Sequence, residues 1–287
     1  RTEKVLASGY SELNPYLESP SQIKSHFRQG KTKLVVSFPP GMQRRYLRRD
    51  PVAIQLIADA SDPNAATTLV NYASAIIADY QREQNAIAAG SPLRITSQVK
   101  MLYNPRLEGV YMFVPGVMTV ILMLVSAMMT SIAIVREKEQ GTMEVLLVSP
   151  LPPPLVIIGK VVPYILLSLI NTAVILALGI LVFGMPIRGS WLLLGLECLL
   201  FVLTSLSLGI LISTRTSSQQ VAMMISLIAL MLPTIILSGF IFPITSMPRV
   251  LQLLSHIVPA KWFIIILKNI MLKGVGLPFI WQETTVL

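Results

Sequence analysis

The chain has 287 residues, 53% of them hydrophobic and 13% charged, with a mean hydropathy of +0.68 and a formal net charge of +9. Soluble domains carry about 25% charged residues, so an ordinary soluble protein is excluded unless the apolar residues are evenly spread. They are not: residues 1–110 hold 14 Lys/Arg and 9 Asp/Glu, whereas residues 111–242 hold 5 and 4, which reads as a polar module followed by a membrane module.

The polar module reads as mixed α/β. "ESPSQIKSHFRQG" predicts a short helix with Ser19 as N-cap, Pro20 at the first helical position, Ile23 and Phe27 one turn apart, and Gly30 as the stop. "KLVVSF", "VAIQLIA" and "LRITSQVKMLY" are rich enough in β-branched residues to be strands. Between the last two, a helix capped by Asp62 and started by Pro63 carries Leu69, Ala73, Ile76 and Tyr80 on one face. "RRYLRR", Arg44 to Arg49, fits a short helix with Met42 and Tyr46 turned inward. Its arginines suit a solvated face, or contact with anionic headgroups or a partner. A module tethered directly to a membrane span argues against nucleic acid.

Four runs are long enough to cross a hydrocarbon core, which needs about 20 residues: roughly 111–135, 161–183, 191–212 and 221–242. Pro115 and Pro163 suit span ends or kinks. Four crossings return the chain to its starting side, so the polar module and the tail after residue 242 share one face. Arg136, Lys138, Lys160 and Arg215 on one side balance Lys100, Arg106, Arg188, Arg249 and Lys261 on the other, and the positive-inside rule orients nothing here.

Catalytic groups are scarce. His26 and His256 lie on separate segments without metal-ligand spacing, Cys198 has no partner, and no GxxxxGK[ST] occurs to cradle ATP phosphates. No metal or cofactor is expected. Two intramembrane polar residues are candidates for a site: Glu197, near enough to an interface to snorkel or pair with Arg188, and Asn171, suited to an interhelical hydrogen bond. Lys160 is expected to snorkel.

The stretch "REKEQGTMEVLLVSP", Arg136 to Pro150, interrupts two greasy runs with charge and then turns apolar again. A solvated loop needs no "MEVLL". Together with "YNPRLEGVYMFVPGVM", the continuation "LPPPLVIIGKVVPY", "LSGFIFPITSMP" and "LLSHIVPAKWF", it resembles the permease subunits of type 2 ABC transporters. The likeness is strongest to the bacterial multidrug-exporter branch and runs from about residue 31 to residue 281.

That resemblance implies a polytopic α-helical membrane protein of six spans, of which spans two to five are visible here. The first and last spans are unaccounted for, and the chain would open inside an extracytoplasmic α/β domain. It implies an inner-membrane permease of an ATP-driven exporter of amphiphilic or drug-like substrates, with residues 1–110 periplasmic. Residues 136–154 would be the cytoplasmic coupling segment, and residues 243–287 an extracytoplasmic re-entrant or interfacial segment leading to a last span. In such permeases the coupling helix docks on a separate ATPase subunit, which holds ATP and Mg. Here that role falls to Arg136, Glu137, Lys138, Glu139, Gly141, Thr142, Met143, Glu144, Leu146 and Leu147. The charges would make salt bridges to the partner, Gly141 would break the span-derived helix, and Thr142 to Val148 would form a short docking helix. Further implied partners are a second permease copy or paralogue, a periplasmic adaptor and an outer-membrane channel. The alternatives are a membrane-anchored receptor or assembly protein, which needs fewer spans and no docking helix, and a proton-driven transporter, which needs more intramembrane carboxylates than Glu197.

Overall fold

Three β-branched runs of the polar module become the strands of one sheet: β1 (Leu34–Ser37), β2 (Val52–Asp59) and β3 (Ile95–Leu102), in the order β1-β2-β3. The computed structural model describes residues 20–30, 32–48, 50–87, 94–142 and 152–287, divided into two units at Gly109 and Val110. β2 pairs antiparallel with β1 and parallel with β3, in a register that sets Leu56 opposite both Val36 and Val99. A parallel neighbour requires a crossover, and helix α3 (Pro63–Ile87) supplies it. Asp62 caps α3 as its residue type predicts, accepting a hydrogen bond from Ala65 N at 3.2 Å. β2 is the core strand, with Val52, Leu56 and Ala58 fully buried.

The inward stripe of α3 is Ala66, Val70, Ala73, Ile77 and Tyr80. The sequence reading placed Leu69 and Ile76 there. Both are half-buried at the margin, because the helix is turned to bring Ala66, the smallest residue of its first turns to be fully buried, onto the sheet. Helix α1 (Pro20–Arg28) buries Phe27 completely and stops at Gly30 with φ +67°; its expected cap, Ser19, lies outside the described residues. Helix α2 (Met42–Arg48) follows the turn after β1.

The second unit is helical. Among the described residues four helices are long and apolar enough to cross a membrane: α4 (Val110–Glu139), the Ile158–Leu181 part of α5 (Pro153–Leu181), α6 (Trp191–Thr214) and α7 (Gln219–Leu237). α7 ends five residues before the run does, since Gly239 adopts φ +77° and Pro243 follows. Within α7, residues Leu227–Met231 form a π-turn just ahead of Pro233. Proline has no N–H and its ring crowds the carbonyl four residues earlier, and the widened turn absorbs both. Helix α8 (Arg249–Leu254) and helix α9 (Pro259–Lys268) follow, with a 79° bend between the arms Arg249–Ser255 and Pro259–Lys273. Such a bent pair is either a broken span or a re-entrant loop. Helix α10 (Trp281–Val286) comes last.

α4 is the central helix of this unit: half of its apolar window is buried, against 39% for α6 and 22% for α5 and α7. Small residues let α6 approach it. A Cβ added to Gly209 would lie 2.3 Å from the backbone oxygen of Ala127, so the two backbones touch there. Phe201 of α6 stacks on Phe263 of α9 with ring centroids 4.0 Å apart.

Candidate functional site

The charged end of α4 gathers polar contacts from several helices. Helix α4 continues past the apolar run to Glu139, and Gly141 then takes φ +73°, the left-handed turn that closes a helix at little cost only for glycine. The final turn points its charges at three different helices. Glu137 Oε1 accepts from Lys160 Nζ of α5 at 2.5 Å, each side chain a little over a quarter exposed. The hydroxyl of Thr142 donates to the same carboxylate. Lys138 Nζ donates to the backbone carbonyl of Ser213 and, at 3.5 Å, to that of Thr216. Glu139 Oε2 accepts from Gln219 Nε2 at 2.5 Å and lies 3.5 Å from Gln219 N.

The last two contacts follow helix electrostatics. Ser213 and Thr216 flank the C-terminus of α6, where unpaired carbonyls concentrate negative charge and attract an ammonium. Gln219 opens α7, where free N–H groups attract a carboxylate. The nominal cap Ser218 makes no side-chain capping bond, and Glu139 stands in for it. The turn between α6 and α7 is therefore held by adjacent residues of α4.

The sequence reading assigned these charges to an external partner. Within the chain Glu137, Lys138 and Glu139 have partners of their own, while Arg136 and Gln140 are exposed. Gly141 sits in the turn that ends α4, and Thr142 follows it with its hydroxyl on Glu137. Met143, Glu144, Leu146 and Leu147 lie outside the described residues, as does most of the docking helix expected over Thr142 to Val148. Lys160 does not simply snorkel; it pairs with Glu137. Its partner and the contacts at Ser213, Thr216 and Gln219 escaped the sequence reading. Backbone carbonyls and amides leave no residue-type signal, and only Gln219, polar at the mouth of a span, gave a hint.

The two intramembrane candidates separate. Glu197 is 3% exposed on α6, and its Oε1 accepts from Thr284 Oγ1 of α10 at 2.8 Å rather than from Arg188. Its Oε2 has no hydrogen-bond partner among the described residues. Asn171 is half-buried. A hydrogen bond between spans lies about one turn earlier, where Ser126 of α4 and Ser168 of α5 meet at 2.8 Å, both fully buried. Among the described residues no cluster of His, Cys, Asp or Glu could hold a metal ion.

Four apolar helices whose ends are gathered by one charged turn define a polytopic membrane protein. The chain belongs to the ABC-2 family of transporter proteins, whose model matches residues 3–287. It is 34% identical over 269 residues to the "Probable multidrug ABC transporter permease YbhR" of Escherichia coli K12, covering 93% of this chain and 72% of that protein. It is 29% identical over 280 residues to the "Inner membrane transport permease YhhJ" of the same organism, covering 94% and 73%. It is also 27% identical over 274 residues to "ABC transporter G family member 20" of Dictyostelium discoideum, covering 94% of this chain and 37% of that protein. No solved structure matches the chain significantly. The protein is thus a multi-pass permease subunit of an ABC transporter, a family whose members work with an ABC ATPase, and the receptor alternative falls away.

Proposed function

We propose that this chain is the membrane half of an ATP-driven exporter of amphiphilic, drug-like molecules. It acts as a dimer of permeases with two ATPase subunits, and residues 136–154 dock in the ATPase. In this reading the α/β unit is extracytoplasmic and can hand substrate to an adaptor and an outer-membrane channel. Residues 243–287 form a re-entrant segment on that side.

The observation that carries the reading is the last turn of α4. Any tilt imposed on the segment after Gly141 pulls on Glu137, Lys138 and Glu139, and through them on the ends of α5, α6 and α7. A docking segment joined to that turn moves four helices together, which is what ATP-driven rocking requires. The names of YbhR and its kin support the multidrug assignment by similarity.

The test is ATPase binding and substrate-stimulated turnover in the reconstituted complex. Burying a leucine contributes about 1.5–3 kcal/mol, whereas an exposed ion pair contributes at most about 1 kcal/mol. Leu146→Asp should therefore uncouple the ATPase while the permease inserts normally, and Glu139→Gln, which keeps an acceptor for Gln219, should cost much less. Wild-type coupling in Leu146→Asp would sink the docking role. Orientation is checked by thiol labelling: a cysteine at Asn64 should react from outside, and one at Gln140 only in inverted vesicles.

A further inference from the structure

We propose that helix α2 docks on anionic phospholipid headgroups of the membrane that holds the spans. The rotation of α2 is pinned. Tyr46 stacks on Tyr80 of α3 with centroids 6.5 Å apart, its hydroxyl lies 2.8 Å from that of Tyr80, and it donates to Gln84 Oε1 at 3.0 Å. Met42, one turn earlier, packs against the same core. At 3.6 residues per turn this sends Arg44 and Arg48 directly away from the core, flanked by Leu47 on one side and Arg45 on the other.

All three described arginines are exposed, and Leu47 beside them is 73% exposed. Phe38, four residues ahead of α2, is 57% exposed, and Val36 of β1 is 40% exposed. Among the described residues no carboxylate forms an ion pair with Arg44, Arg45 or Arg48. A single exposed leucine is ordinary, but here Leu47 stands between guanidinium groups and two further apolar side chains, Val36 and Phe38, are exposed just ahead of the helix. That is the pattern of a surface that takes phosphates with its cations and seats shallow apolar groups at the acyl boundary. Guanidinium also matches phosphate oxygens in a bidentate way.

The bilayer is the favoured partner because it is always within reach: β3 ends at Leu102 and α4 begins at Val110. Contact of this kind would hold the unit against the headgroups and couple its position to lipid charge.

The test uses the full permease in its complex with the ATPase, with Cys198→Ala as background and Leu47→Cys carrying an environment-sensitive fluorophore. Nanodiscs of phosphatidylcholine alone are compared with discs containing phosphatidylglycerol. The emission should shift to the blue only with phosphatidylglycerol, be quenched by nitroxide-bearing lipid, and revert as salt is raised. Each arginine should alter the docked-to-free ratio about fivefold. Arg44→Gln, Arg45→Gln and Arg48→Gln together should therefore abolish the shift, while transport-independent folding, read by hydrogen exchange of β2, stays unchanged. Equal emission in all discs, or a shift that survives the triple variant, overturns the proposal. So does a shift that appears only when a periplasmic protein extract is added.

Discussion

The two units differ in what their outer faces carry. In the sheet unit Leu56, Val52 and Ala58 go inside, and the span unit likewise buries Leu122, Phe201 and Phe263. In the span unit Ile158, Val162, Leu166, Ile170, Val174 and Leu178 recur every fourth residue along α5 and are each about half exposed, while Ser168 on the same helix is fully buried. Water drives the first arrangement. In lipid the tails are as apolar as leucine, so association depends on close backbone approach and on small hydroxyls that need partners. Hydropathy finds spans, and small polar residues find their packing faces.

Substitutions can break this contrast. The largest effect is expected for Gly209→Leu, where the new side chain meets the Ala127 backbone and α4 and α6 must separate. Overpacking against main chain costs on the order of 3 kcal/mol or more, and the folded permease peak in size exclusion should be lost on mild heating. Gly195→Leu on the same helix, with nothing within 4 Å of an added Cβ, should leave that peak intact.

Next comes Leu56→Ala in the sheet unit. Removing a fully buried leucine costs about 2–5 kcal/mol, and hydrogen exchange across Val52–Asp59 should accelerate accordingly. Leu166→Ala in α5, 58% exposed, should barely alter the stability of the span unit. Equal losses at the two sites would refute the contrast.

Smaller effects probe the polar contacts. Lys138→Met removes the cation at the α6 carbonyls, a contribution of about 1 kcal/mol. In the reconstituted complex it should lower ATP-driven transport while insertion is unchanged. Ser126→Ala deletes one hydrogen bond between spans and should cost only about 0.6 kcal/mol, visible as a slight drop in thermal stability. Should Ser126→Ala prove as damaging as Gly209→Leu, hydrogen bonds rather than close packing would hold the bundle.

The charged end of α4 shows how site and fold differ in legibility. Arg136 to Glu139 stand out in the sequence because charge interrupts a greasy run. Their partners do not. Glu139 meets Gln219 and Lys138 meets a carbonyl of Ser213, 80 and 75 residues away, and nothing in residue type announces a backbone group as a ligand. Glu197 behaves likewise: its cost in a membrane marks it as special, but residue type leaves snorkelling or a pair with Arg188 open, and Thr284 is the partner the fold brings to it.

What the sequence by itself determined was the division into two modules, the four long apolar helices, the strands, the caps at Asp62 and Gly30, and the glycine that ends α4. These depend on composition, local period and backbone freedom, all of which act within a few residues. Only the tertiary structure decided which face of α3 meets the sheet, that α4 stands at the centre, that Gly209 meets its backbone at Ala127, and where each charge of the last turn goes. Those outcomes rest on packing between segments far apart in the chain, where the contact that wins depends on shape and on free backbone groups that the letters do not carry.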